Sequence, residues 1–215
     1  RRVTVPGFYD DVEELPDAMR AQWQALSFDH ADFLGKVGLP QPAGEQDRTP
    51  LEMLWSRPTC EVNGIIGGYT GDGFKTVLPA EARAKISFRL VPGQDPHAIR
   101  DSFRAMVRAM LPADCRAEFS GHGASRASKM ATTAPAFEKA RQALSEEWGC
   151  AAAFVGSGGS IPVAGHFKTV LDMDAMLVGF SKDDDQIHSP NEKYDLKSFH
   201  KGIRSWARIL ARLSA

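Results

Sequence analysis

Residues 82–91 carry the cleanest alternation in the chain: Ala82, Ala84, Ile86, Phe88 and Leu90 interleave with Arg83, Lys85, Ser87 and Arg89. A period of two predicts a strand with one apolar face and one wet face, and Arg89 stands on the wet one. The period then changes. Asp95 is a good N-cap, Pro96 suits the first helical position, and Ile99, Phe103, Met106, Val107 and Met110 fall on one side of the helix that follows. Upstream, residues 10–38 read as one or two helices with acidic starts, broken near Pro16, and residues 39–50 as a polar, Pro-rich loop. Residues 60–65 read as a strand that runs into the glycine-rich stretch 67–73, and residues 1–6 as a strand already under way. One more strand is expected at 116–120. Strand, strand, helix, strand is most of a ferredoxin-like βαββαβ unit lacking its first strand and helix.

Residues 121–132 are small and polar and read as a linker. Beyond them the pattern changes. A helix is expected over 134–148, ended by Gly149. Short apolar strands at 152–155 and 175–180 flank a helix starting at Ser160. Asp195 then caps a last helix, with Leu196, Phe199, Ile203, Trp206, Leu210 and Leu213 on one face. Alternating helix and strand implies a sheet covered by helices. The expected organisation is α/β: a ferredoxin-like α+β unit over 1–132, followed by an α/β unit over 133–215.

Composition changes little. The 215 residues are 43% hydrophobic and 25% charged, the balance of a soluble globular chain. A net charge of −1 gives no pull toward nucleic acid or an anionic membrane, and no apolar run approaches the roughly 20 residues of a membrane span. The three cysteines, Cys60, Cys115 and Cys150, are widely spaced and odd in number. They point to a reducing, cytoplasmic setting and not to a disulfide framework.

Two segments carry the candidate chemistry. Gly158-Gly159-Ser160-Ile161-Pro162 is a Gly-Gly-Ser turn entering a helix, which offers N–H groups and a hydroxyl to an anion. Ser160 could equally be a plain helix cap. About 26 residues on comes Ile187-His188-Ser189-Pro190-Asn191-Glu192-Lys193, where His188 is either a metal ligand or a loop His, exposed or bonded to Asp184 or Asp185. Asp183-Asp184-Asp185 could add ligands but reads first as a solvated charge run. One His cannot hold a catalytic zinc, which typically takes three protein ligands. Arg89 has the fork geometry for a carboxylate, or is a solvent-facing sheet residue. Thr76, after the glycine-rich loop, offers a hydroxyl to a ligand or simply starts a strand. His122 lies between two glycines, exposed to whatever docks there. His30, His97, His166 and His200 fall in helical contexts.

Five ordered motifs give these residues a setting: Gly-Asp-Gly-Phe-Lys-Thr-Val-Leu-Pro (71–79), Ile-Ser-Phe-Arg-Leu-Val-Pro (86–92), Ser-Gly-His-Gly (120–123), Gly-Gly-Ser-Ile-Pro-Val (158–163) and His-Ser-Pro-Asn-Glu-Lys (188–193). In this order they resemble the carnosine dipeptidase-like metallopeptidases of the aminoacylase, carboxypeptidase G and desuccinylase superfamily. The resemblance implies a lid domain that dimerises, over 1–132, and the C-terminal part of a catalytic domain, over 133–215. It implies two zinc ions per complete site, or manganese or cobalt in their place. By resemblance His188 matches the last metal ligand, Arg89 and Ser160 (with Gly159) hold the substrate's C-terminal carboxylate, and Thr76 and His122 are lid residues that reach substrate, Thr76 in the partner's site.

Two departures follow. The remaining metal ligands and the general-base Glu of the family lie upstream of the lid and match nothing here, so the chain alone is expected to be inactive. Ser157 stands where the dipeptidases carry a Glu that can pair with a substrate amine. The expected activity of the complete enzyme is therefore metal-assisted hydrolysis of a dipeptide or related amide by a homodimer. The alternatives are an N-acyl or N-carbamoyl amidohydrolase on the same scaffold, and a non-catalytic dimerisation or binding module.

Overall fold

The computed structural model describes residues 1–159 and 161–214. Among the described residues seven helices and two strands follow the order α1 (Asp17–Gln24), α2 (His30–Lys36), α3 (Pro50–Trp55), β1 (Thr59–Gly67), β2 (Ala82–Arg89), α4 (Pro96–Met110), α5 (Pro135–Trp148), α6 (Pro162–Leu171) and α7 (Leu196–Ser214). β1 and β2 pair antiparallel from Thr59↔Arg89 to Gly67↔Ala82, with a register shift between Val62 and Gly64. Arg89 therefore ends the hairpin next to the chain's core, and the glycine-rich connection closes its far end.

The helix ends follow local chemistry. The Asp95 carboxylate accepts from the His97 and Ala98 N–H groups at 2.8 and 3.3 Å, with Pro96 at the first helical position. Asp195 caps α7 by accepting from Ser198 N at 3.0 Å. Gly149 closes α5 in the left-handed conformation, φ +70°, where a Cβ is disfavoured. α6 starts at Pro162 with Ile161 as its N-cap, later than the expected start at Ser160, which lies outside the described residues.

α3 falls where the sequence pattern predicts the end of a loop. Thr49 accepts from Glu52 N at 3.2 Å while the Glu52 carboxylate accepts from Thr49 N at 2.8 Å, a complete capping box with Pro50 at the first turn. The Thr-Pro-Leu-Glu signature is legible, but the prolines before it read as loop.

One hydrophobic core joins Val5, Phe8 and Ile99, with Phe88, Leu90, Phe103 and Met106 packed on it. The apolar faces of β2 and α4 meet there, as their periodicity requires. The N-terminal segment contributes as a turn and not as the expected strand over 1–6: Phe8 N donates to Val5 O at 3.1 Å, and Gly7 takes φ +74° after Pro6. A second core joins Ala140, Ala143 and Ile209, with Leu144, Met176 and Val178.

The strands expected at 116–120, 152–155 and 175–180 are not formed among the described residues. A strand exists only through a ladder partner, and these segments have none there. Segment 175–180 keeps a strand's alternation all the same. Met176 and Val178 face the α5–α7 core, and Leu177 between them points to solvent. The linker 121–132 is held at its surface by ion pairs from Arg126 to Asp95 and from Lys129 to Glu13.

Candidate substrate-binding site

The turn before α6 is approached from several elements. Arg89, at the end of β2, donates through Nη1 to the Gly158 carbonyl at 3.0 Å, across 69 residues of sequence. The rest of its guanidinium fork stays open to solvent or ligand. The Ser157 hydroxyl accepts from Gly159 N at 3.2 Å and sets the turn from within. Gly156 needs its missing side chain: a Cβ there would lie 1.9 Å from the Trp55 carbonyl oxygen at the end of α3. Just upstream, Phe154 has both backbone groups taken by consecutive α1 residues. Gln22 Oε1 accepts from its N–H at 2.8 Å, and Trp23 Nε1 donates to its carbonyl at 2.8 Å. Trp23 is buried and packs edge-on against Trp55, ring centroids 5.1 Å apart.

His188 sits in a loop that is closed on itself. Asp185 is its hub. The Asp185 carboxylate accepts from Lys182 N at 2.8 Å and Lys193 Nζ at 3.1 Å, and its carbonyl accepts from Lys193 N at 3.0 Å. Asp184 pairs with Lys193 at 2.9 Å, so Lys193 holds that carboxyl below the usual aspartate range. Lys182 reaches Asp195 at 2.7 Å and, with the N-cap bond from Ser198, lowers that carboxyl too. Three residues, Gln186, His188 and Asn191, take positive φ (52°, 62° and 63°) within this loop. For a non-glycine residue that conformation costs of order 1 kcal/mol and persists only where the surroundings impose it. His188 donates its N–H to Glu192 Oε2 at 3.3 Å. Its ring makes no hydrogen bond among the described residues, to Asp184, Asp185 or any other group. Beside it opens a cleft of about 400 Å³ lined by Ser181, Asp185, Ile187, Glu192, Lys193 and Tyr194.

The reading of 183–185 as a solvated run needs correction: Asp185 is 1% exposed, with its charge matched by Lys193. Nothing in the spacing separates it from the two neighbouring aspartates. Only the fold makes it the hub.

The structure brings Arg89 to Gly158 and Gly159. Among the described residues no hydrogen bond joins Thr76 or His122 to that turn. Thr76 is exposed in the connection at the far end of the hairpin, while Arg89 ends its near side. The seven strand steps of β2 alone put roughly 20 Å between those ends. His122 is exposed on the 115–132 stretch and makes no side-chain hydrogen bond among the described residues. Ser160 lies outside them. No group of three or more His, Cys, Asp or Glu that could hold a metal forms among the described residues. These residues therefore do not fit a complete metal site by themselves, and His188 can offer one ligand of such a site.

Residues 15–115 match the peptidase dimerisation domain family. The chain is 26% identical over 216 residues to the Cys-Gly metallodipeptidase dug1 of Schizosaccharomyces pombe, covering 99% of this chain and 45% of that protein. It is 23% identical over 217 residues to the Beta-Ala-His dipeptidase of Rattus norvegicus, again 99% of this chain and 44% of that protein. Its fold superposes with a TM-score of 0.84, at 28% identity, on an M20 family metallo-carboxypeptidase from Sulfolobus solfataricus, covering 97% of this chain and 48% of that one. The chain thus spans less than half the length of the relatives it matches.

Proposed function

Because residues 15–115 match the peptidase dimerisation domain family, and metallodipeptidases match the chain along nearly its whole length, we propose that the complete protein hydrolyses a dipeptide or related amide with the help of bound metal, zinc in the first instance. Residues 1–132 are read as the dimerisation lid and 133–215 as part of the catalytic domain. The observation that carries the reading is the bond from Arg89 to the Gly158 carbonyl. It sets an unpaired cationic fork beside a turn whose glycines leave room for a ligand, which suits a free carboxylate. Ser160 would add its hydroxyl there. His188 would supply one metal ligand, and the Asp185 hub would hold its loop in the strained conformation that presents it. Thr76 and His122, exposed and without a hydrogen bond to the turn among the described residues, fit a contribution across a homodimer.

One observation favours a second substrate class on the same scaffold. The Ser157 hydroxyl is already engaged with Gly159 N–H, and it offers no negative charge to a substrate amine. An N-acyl or N-carbamoyl amino acid fits that position as well as a dipeptide does. The test is the full-length protein assayed on a dipeptide and on the N-acetylated form of the same dipeptide, with and without chelator. Chelator-sensitive cleavage of either supports the hydrolase reading, and the preferred one assigns the class. Cleavage of neither, by metal-loaded protein, refutes it. His188→Ala should lower the metal content measured by elemental analysis, whereas full metal occupancy would remove His188 from the ligand set. His188→Gly relieves the positive φ, so it should keep the fold while losing the same metal.

A further inference from the structure

We infer that Gln22 and Trp23 form a clasp that positions the Gly158–Gly159 turn for the substrate carboxylate. Like the site it serves, this inference rests on the carboxylate reading of that turn. Phe154 precedes the turn by four residues and belongs to an extended apolar segment that finds no ladder partner among the described residues. An unpaired backbone N–H and carbonyl in such a half-buried place are costly to leave unmet. α1 meets both with two adjacent side chains: Gln22 takes the N–H and Trp23 the carbonyl, each at 2.8 Å. Two opposed bonds to one peptide residue fix its rotation as well as its position, as a strand partner would.

Three further contacts carry that constraint to the turn. Trp23 is wedged against Trp55. The Trp55 carbonyl comes so close to Gly156 that no side chain fits there. Arg89 then holds the Gly158 carbonyl from the other side. Residues 154–158 are thus gripped at alternate positions by α1, the end of α3 and β2. Arg89 bonds the turn and has the rest of its fork free for a ligand, so a shift of the turn moves the Arg89 guanidinium with it. Gln22 and Trp23 are positioning residues that act through Phe154 and not on the ligand.

The test compares Gln22→Leu, Trp23→Phe and Gln22→Glu in the full-length protein. The first two each delete one clasp bond and keep the packing, and the third keeps the acceptor. The first readout is hydrogen exchange of the segment 154–159, which needs no activity. It should rise in Gln22→Leu and Trp23→Phe and return toward wild type in Gln22→Glu. The second readout is kinetic. KM for a substrate with a free carboxylate should rise by about 3- to 10-fold in the two deletion variants, with kcat nearly unchanged and no matching rise for the C-terminal amide of the same substrate. Unchanged exchange in folded variants overturns the clasp. Raised exchange with unchanged KM overturns its link to substrate. A wild-type protein that handles acid and amide alike overturns the carboxylate reading and this inference with it, whatever the exchange data show.

Discussion

α4 and α7 look like the same object in sequence. Each is opened by an Asp cap and carries a continuous apolar stripe, and each is expected to bury that stripe. α4 does so: Ile99 is 6% exposed, and Phe103 and Met106 pack on Val5, Phe8 and β2. α7 does not. Its expected face is open, with Leu196 at 74%, Ile203 at 55% and Leu210 at 61% exposure. The face it buries is Ser198, Gly202, Ser205 and Ile209, three small residues that let α5 approach and one large one that fills the core. Trp148 Nε1 bonds Ser205 Oγ at 3.0 Å across that contact, and Phe180 packs where a Cβ on Gly202 would sit. The difference teaches what periodicity measures. It reports that a stripe is apolar, and the fold decides which stripe meets a neighbour. Among the described residues the large stripe of α7 stays largely exposed, while the stripe of Ser198, Gly202, Ser205 and Ile209 makes the close contact.

The sharpest way to break this comparison is a pair of truncations one residue apart. Ile209→Ala empties a site with 0% exposure and should cost about 2–4 kcal/mol of unfolding free energy. Leu210→Ala truncates an equally large apolar side chain at an exposed position and should cost well under ~1 kcal/mol. Denaturant unfolding of both variants in the full-length protein gives the answer. Equal costs would mean that the large stripe of α7 is covered in the complete protein, so that the two helices behave alike after all. A smaller effect tests what the helices do share. Asp95→Ala and Asp195→Ala each remove a side-chain cap and should each lower stability by a similar, modest amount, whichever face is buried. A marked difference between the two would mean that one of them acts through its ion pair, Asp95 with Arg126 or Asp195 with Lys182, more than as a cap.

The smallest expected effect is a pH dependence that belongs to the α5–α7 half. Arg141 and Gln142 hold the Glu138 carboxyl down at about 2, and Arg204 followed by Arg208 lowers that of Glu147. A carboxyl depressed by folding contributes stability above its unfolded value, near 4.5 for Glu138, and that contribution is lost as pH falls toward the folded value. Unfolding measured at about pH 5 and about pH 3 should show a smaller acid loss in Glu138→Gln than in wild type. An equal loss would mean that the surface pairs contribute nothing measurable, the common outcome for exposed ion pairs.

How much of the molecule is legible in the sequence follows from how local each cause is. Asp95-Pro96, Gly149 and Asp195 act within one turn of chain, and the helix boundaries they imply are the ones formed. The capping box of α3 is equally local, and the Pro-rich run before it masks it. The expected strands fail for the opposite reason, because a ladder needs a partner that no window of sequence contains. The site divides along the same line. Arg89 and the Gly-Gly turn stand out as residues with binding chemistry, and the structure joins them. Asp185, Gln22 and Trp23 do not stand out, because their work is done across the fold, on a backbone that the sequence does not display.

Arg89 offers the most direct test of the carboxylate site. In the full-length protein, KM should be compared between wild type and Arg89→Ala for a substrate with a free carboxylate and for its C-terminal amide. Losing a hydrogen bond to a charged carboxylate costs about 1.5–3 kcal/mol, so KM for the acid should rise by roughly 10- to 150-fold, while KM for the amide changes little. A KM for the acid that does not move would leave Arg89 as a strand residue that happens to touch Gly158, and the carboxylate site proposed around it would be wrong.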